Sequence, residues 1–321
     1  LGGRIASVPA APGDDHRFDL GPAWYWPGFN PRLQALIDRL ELTGYVQHAS
    51  GAALYEAAHG AIQRLPDGLP QQPESQRIAG GMASLVDALA IRLDNVPVAL
   101  ATRAVGLELA GEGLAVRLVG PTGEFTRHAR HVVSTLPPRL LAPLVAGQPG
   151  IPPEFLAGLN AAPTWMAGQA KLVACYPRAF WREAGLSGDA FSQRGPLSEI
   201  HDACDAAGNH AALFGFVGVA PPQRARLGVA ALREHALAQL QRLFGAAAGQ
   251  PSHVWLQDWA VEPDTATSAD HVSGSRHPVR PATPLPAPWA SRLLLAGTEF
   301  AAQTGGYLEG ALEAADAVVA S

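Results

Sequence analysis

Cysteine is nearly absent: Cys175 and Cys204 are the two thiols in 321 residues. Two such residues build no disulfide framework, and their spacing matches no thiolate metal motif. A reducing, cytoplasmic setting is therefore expected, and no signal peptide is visible. An excess of basic residues is also missing. The 23 Lys and Arg stand against 28 Asp and Glu, a net charge of −5, which removes the basic face that a nucleic-acid partner would need. No apolar run reaches the roughly 18 residues of a membrane-crossing helix, so no membrane partner is expected. G-x-S-x-G, Walker and H-E-x-x-H patterns do not occur, which sets aside three common catalytic signatures. His201-Asp202-Ala203-Cys204-Asp205 carries ligand-type side chains, but in a polar loop without a second ligand pair, so no metal is assigned.

What is present is material for a large core. Hydrophobic residues make up 48% of the chain and charged ones 16%, in a length that suits one large domain or two smaller ones. Residues 31–42 read as an amphipathic helix with Leu33, Leu36, Ile37 and Leu40 on one face, and 82–93 as a second helix. Short strands are expected at 45–48 and 53–57. From Val96 the pattern turns to β, at 96–101, 105–109, 114–119 and 131–136, with turns at Gly111-Glu112-Gly113 and Pro121-Thr122-Gly123 that suggest a meander. Beyond a Pro-rich passage come strands at 169–176 and 212–218, a long helix at 229–244 and a Trp-containing strand at 254–260. The connection 262–288 is long enough to suggest a functional loop.

The C-terminal stretch LLLAGTEFAAQTGGYLEGALEAADAVVAS is the most informative segment. Residues 293–296 read as a fully buried strand ended by Gly297 and Thr298. Gly305 and Gly306 then lead into a helix from Tyr307, with Leu308, Ala311, Leu312, Ala315, Val318 and Val319 at packing intervals. A strand, a glycine loop and a helix N-terminus bring backbone N–H groups and a partial positive charge together, which suits an anionic group or an electron-rich ring. From spacing alone, an ordinary βα unit closing a domain is the other reading.

The residues themselves go further. AGTEFAAQTGGYLEGALEAADAVV resembles the C-terminal flavin motif of the flavin-containing amine oxidases, the family of monoamine and polyamine oxidases. LGGRI at 1–5, FDLGPAWYWP at 18–27, RIAGGMASLVDAL at 77–89, RHVVSTLPP at 130–138, AKLVACYPRAFWR at 170–182 and WAVEPDTAT from Trp259 resemble further family segments in the family order. The resemblance implies an α/β fold of two domains. A Rossmann-like FAD-binding domain would be assembled from 1–29, 77–161 and 255–321, and a smaller sheet-and-helix substrate domain from 30–76 and 162–254. It implies FAD held non-covalently, since no Cys stands near Gly305-Gly306-Tyr307, and a small-molecule amine as substrate. Self-association is left open.

By the same resemblance, Gly2, Gly3 and Arg4 would meet the pyrophosphate, and Gly21, Pro22 and Trp24 would line the isoalloxazine side. Val105 would touch the adenine, and Trp259 would pack on the flavin. Gly297 and Glu299 would meet the ribityl or ribose, and Gly306 and Tyr307 would lie against the ring. Tyr307 and Lys171 are the expected catalytic pair, with Lys171 holding a water near flavin N5. An unpaired ammonium on an apolar strand is costly, so Lys171 should have a partner. A second aromatic wall opposite Tyr307 is not evident between Val261 and Pro288, where His277 is the nearest candidate.

Two departures from the family pattern stand out. The N-terminal G-x-G-x-x-G strand–turn–helix is not in the sequence; Gly111-Glu112-Gly113 has Val116 in place of the third glycine and lies in a hairpin. The expectation is a chain cut from a longer protein rather than one that has lost flavin binding. The helical insertion that builds the cavity of monoamine oxidases is also largely missing between Trp26 and Arg77. The competing readings are a desaturase- or protoporphyrinogen-oxidase-like flavoprotein and a flavin-less binding protein.

Overall fold

A strand covered on both faces reads as a nearly continuous apolar run, and in Ala170–Tyr176, apolar but for Lys171 and the Tyr176 hydroxyl, every residue is buried. It lies second in a seven-stranded sheet ordered His253–Asp258, Ala170–Tyr176, Ala211–Val217, Leu197–Asp202, Leu186–Ser192, Ala52–Glu56 and Ile62–Leu65. Neighbours run antiparallel except Leu186–Ser192 with Ala52–Glu56. The computed structural model describes residues 1–11, 13–69, 71–271 and 277–320. The sheet belongs to a unit made of Gly2–Arg92 and Gly168–Ala260, and a second unit holds Leu1, Leu93–Ala167 and Val261–Ser321.

The strand period of two gives the sheet its two faces. Leu172, Ala174 and Tyr176 share a core with Leu232, Ala236, Leu240 and Leu243 of the helix Val229–Phe244. Each such leucine contributes about 1.5–3 kcal/mol by leaving water. Val173 and Cys175 instead pack with Phe18, Leu20, Ala212 and Phe214. Lys171, in phase with Val173 and Cys175, shares that second face. The same unit contains the hairpin Ser7–Pro9 with Arg17–Asp19, the pair Gly44–Val46 with Gln76–Ile78, and the helices Pro31–Arg39 and Ala83–Ile91.

In the second unit, Arg103–Ala110, Gly113–Gly120 and Gly123–Ala129 form an antiparallel meander. Val132–Ser134 pairs in parallel with Leu293–Leu295, and the helix Leu308–Val319 follows the latter. Leu107, Leu114, Leu141, Val145, Phe155 and Trp289 build its core.

Several expectations are corrected. Residues 96–101 form no strand: Pro97 interrupts them, Ala101 has φ 50°, and Val96, Val98 and Leu100 are exposed. The third meander strand is Gly123–Ala129, whose largely exposed GEFTRHA carries no apolar alternation to betray it. The segment expected at 131–136 leaves the meander for the parallel pair. Residues 293–296 are not buried throughout, since Leu294 and Leu295 are half-buried. The terminal helix also turns a different face inward. Glu309, Gly310 and Ala314 are buried, while Ala315 and Val319 are exposed. A Cβ on Gly310 would stand 2.1 Å from the Thr304 carbonyl, so the loop 298–304 lies over that side of the helix. Residues 2–29 and 77–92 belong to the same unit as the seven-stranded sheet, a grouping by packing that does not decide which segments hold a cofactor.

Candidate active site

In the sheet unit, Lys171 is 3% exposed and donates to the Gly21 carbonyl at 3.2 Å. Its Nζ also lies 4.1 Å from the Phe214 ring centre and 5.8 Å from that of Phe216. Burial pulls its pKa down to about 7, with Arg77 adding to the effect and Asp19 opposing it. Its ammonium form is thus far less favoured than that of a surface lysine.

Gly21 is where several expected residues converge. A Cβ there would meet the Arg4 carbonyl at 2.3 Å, so only glycine allows the two backbones so close. Trp259 donates its indole N–H to Leu20 at 3.0 Å, fixing the preceding carbonyl. Trp24 donates to Gln47 at 2.8 Å and sets its ring against Phe214 at 5.2 Å. Pro22, between Gly21 and Ala23, is half-buried. Gly2 and Gly3 have φ 95° and 56°. No atom lies within 4 Å of where a Cβ on Gly3 would stand, which leaves the backbone open to an approaching anionic group.

Sequence reasoning missed a cavity of about 240 Å³ in this unit, lined by Leu69 and Phe191 as well as by Asp189, Glu199 and His201. Burial works against a charged His201, but hydrogen bonds to Asp189 at 2.8 Å and Glu199 at 3.1 Å outweigh it and raise its pKa. It also missed a second cluster, described further below, in which His16 and His210 join Asp205 from outside the 201–205 motif.

In the second unit, the motif loop braces itself. The Thr298 hydroxyl accepts from the Gly306 N–H at 2.9 Å and donates to the Tyr307 carbonyl at 2.7 Å. Glu313, one turn into the helix, accepts from the backbone N–H groups of Ala302, Gln303 and Thr304 and from the Thr304 hydroxyl. Gly297 packs on the Leu136 carbonyl, where a Cβ would stand at 3.0 Å. Glu299 is 1% exposed, so it is not the solvated strand-end residue that its position alone suggests. Val105 falls where the register between Ala104 and Gly106 shifts, a bulge that takes it out of the ladder.

Tyr307 stands in an aromatic group of three. His277 stacks on Trp165 with centres 3.7 Å apart and planes 17° apart. Tyr307 lies 5.1 Å from His277 and 6.1 Å from Trp165, and its hydroxyl is 3.3 Å from His277 Nε2. Trp165 was not singled out in the sequence, and its pairing with Tyr307 spans more than 140 residues. Gly306 has φ 90°, and a Cβ there would run into Trp165 at 2.7 Å. The loop that presents Trp165 is held by Asp270, which accepts from the Thr164 N–H at 3.1 Å and pairs with Arg139. The hydroxyls of Ser134, at the C-terminal end of its parallel strand, and of Thr164 are buried without a hydrogen-bond partner among the described residues. Ligands of open α/β sheets bind at such strand ends.

Known proteins resemble this chain in sequence and in fold. A family model described as flavin containing amine oxidoreductase matches residues 67–320. AofH of Mycobacterium tuberculosis, named for a flavin-containing monoamine oxidase, is 28% identical over 274 residues, covering 81% of this chain and 55% of its own length. An L-amino acid dehydrogenase of Synechocystis sp. is 25% identical over 258 residues, covering 77% and 51%. The chain thus spans about half the length of the curated relatives it matches. Among solved structures, a putrescine oxidase bound to putrescine superimposes with TM-score 0.76 at 18% identity, over 99% of this chain and 91% of that one. A cyclohexylamine oxidase from Brevibacterium oxydans gives 0.79 at 18%, over 100% and 90%. The fold is therefore the two-domain, Rossmann-like α/β fold of those oxidases.

Proposed function

The chain belongs to the flavin-containing amine oxidoreductase family, and on that premise we propose an FAD-dependent oxidase that converts a small amine and dioxygen into an imine and hydrogen peroxide. A bound flavin would supply the acceptor for the hydride leaving the carbon beside nitrogen. The observation that carries this reading is the buried Lys171 facing the Gly21 carbonyl. A lysine with pKa near 7 can hold a water or take a proton at Nζ at ordinary pH. A site for carbon–carbon desaturation has no evident use for such a group.

The residues present suit the cofactor. Two left-handed glycines, Gly2 and Gly3, lie beside Arg4; the open side of Gly3 and the guanidinium would suit a pyrophosphate. Gly21, Pro22, Trp24 and Trp259 would border the ring system. Gly297, Glu299 and the buried Ser134 hydroxyl would meet the ribityl or ribose, Val105 the adenine, and Gly306 and Tyr307 the ring. The rings of Tyr307, Trp165 and His277 would guide the amine by their electron-rich faces. Attachment would be non-covalent, since both thiols are buried and pushed up to about 12 by burial. Such inert thiols suit a cytoplasmic setting, and among the described residues no helix is long and apolar enough to cross a membrane. Flavin binding on 1–29, 77–161 and 255–321, with substrate binding on 30–76 and 162–254, is then a division of labour that does not follow the two units.

Reconstitution with FAD tests the proposal. The expected result is a flavin spectrum that leaves the protein on denaturation, bleaching by an amine without air and peroxide release with air. A chain that binds no flavin, alone or with any natural flanking residues, defeats the reading. Amine-dependent bleaching without peroxide, with electrons passing to a quinone instead, would replace oxygen as acceptor and favour a dehydrogenase.

A further inference from the structure

His16 and His210 lie 194 residues apart in the sequence, and the fold stacks their rings 4.7 Å apart with planes 12° apart. His16 ends the loop before the strand Arg17–Asp19, with its N–H bound to Asp14. Asp205 and His210 flank the turn between Leu197–Asp202 and Ala211–Val217, closed by the Asp205 N–H donating to the His210 carbonyl and the His210 N–H donating to the Asp205 carboxylate. His210 Nδ1 is 3.1 Å from Asp205, and its Nε2 is 2.8 Å from Asp14. One ligand atom from each of His16, Asp205 and His210 lies within 4.8 Å of the other two.

One observation sets this group apart from an ordinary polar pin. His16 is 9% exposed, and its Nε2 is buried with no hydrogen-bond partner among the described residues. Burying an imidazole nitrogen in that condition is unfavourable, and a ligand held there would satisfy it. We propose that His16, His210 and Asp205 form a binding site for one divalent transition-metal ion of the Zn²⁺ class. The chemical class follows from the donors. Two imidazoles and one carboxylate suit zinc and its first-row neighbours, whereas calcium and magnesium favour oxygen throughout.

Ligand atoms on a tetrahedral zinc with bonds of about 2.1 Å stand about 3.4 Å apart. The Asp205–His210 edge is already near that spacing, and the edges to His16, 4.8 Å at most, must close by up to about 1.4 Å. Asp14, bonded to the far nitrogen of His210, occupies the place of an outer carboxylate that fixes the tautomer of a ligating histidine. Arg77, the cation whose charge His16 feels, is itself paired with Asp19 at 3.6 Å. Asp19 also accepts from the Met82 N–H and from Ser7. An ion here would tie the hairpin Ser7–Asp19 to the turn of the large sheet, a structural role independent of any redox chemistry.

The test uses the full 321-residue chain, stripped with a chelator and titrated with Zn²⁺ by calorimetry, and with Co²⁺ for its visible spectrum. The expected result is one saturable site per chain, a rise in melting temperature on adding Zn²⁺, and affinity at least tenfold weaker in His16→Gln. Asp14→Asn, a change in a partly exposed loop, should weaken binding by about tenfold through His210. It also serves as the readout if His16→Gln fails to fold. His253→Gln, on the exposed end of its own strand, should leave affinity unchanged. No saturable binding by the parent chain, or equal affinity in the parent, His16→Gln and Asp14→Asn, overturns the proposal.

Discussion

Lys171 and Tyr307 are both expected to do chemistry, yet one is 3% exposed and the other 42%. The lysine takes its character from lost water. Its ammonium faces a carbonyl and two rings on a wholly buried strand, and its proton affinity falls accordingly. Tyr307 takes its character from placement. Trp165 and His277 surround it, and a left-handed glycine seats it. A burial effect is written into stability and pH dependence, whereas a placement effect is written into recognition. Substitutions at the two positions should therefore separate along those lines.

Lys171→Met should have the largest effect, in opposite directions. Amine turnover should fall by about 10²–10⁴-fold if Lys171 moves or holds a proton, while the fold gains stability on the order of 5 kcal/mol near pH 7. With a folded pKa of about 7 against 10.5, the unfolded chain binds the extra proton in between. The parent protein should therefore gain stability from pH 7 towards 9, and the methionine variant should lack that gain. Its advantage is full below pH 7 and gone above 10.5. The buried thiols erode both proteins equally above pH 9. Urea unfolding of the pair at pH 7, 8 and 9 measures the difference, and parallel curves would show that Lys171 is hydrated in solution.

Gly306→Ala comes next. An L side chain at φ 90° with its Cβ 2.7 Å from Trp165 should cost about 1–3 kcal/mol. A lower melting temperature together with weaker FAD retention is expected; an unchanged melting temperature would mean that Trp165 does not rest there. Trp165→Ala should raise KM for a cationic amine several-fold, the ~0.5–2 kcal/mol of a lost ring face, with kcat nearly kept. A loss confined to kcat would place the ring in the chemical step instead. Tyr307→Phe keeps the ring and removes the contact to His277, so stability should stay within about 0.5 kcal/mol and KM within twofold. A larger change would give the hydroxyl a role of its own.

Much of this was legible because it is local. The helix Val229–Phe244 follows from apolar spacing, and Gly21, Lys171 and Gly306 stand in motifs whose residue order survives in one dimension. What escaped depends on partners far off in the chain. Trp165 gains meaning only when Gly306 lacks a side chain against it, and His16 only when a turn some 190 residues later folds onto it. The strand Gly123–Ala129 escaped for a different reason. It is held by a neighbour's backbone and needs no apolar side chains to form. The inward face of the last helix was misread because a loop, not a sheet, covers it.

Glu313 draws the backbone of Ala302, Gln303 and Thr304 to itself, while the side chains of Ala302 and Gln303 are exposed. The path of this loop is thus written in one carboxylate and not in the residues that travel along it. Positions 302 and 303 are free to drift over generations without moving the glycines that follow them. The rim of the motif can be rewritten for a new neighbour while its centre stays the same, and a library built there would explore specificity with little risk to the fold.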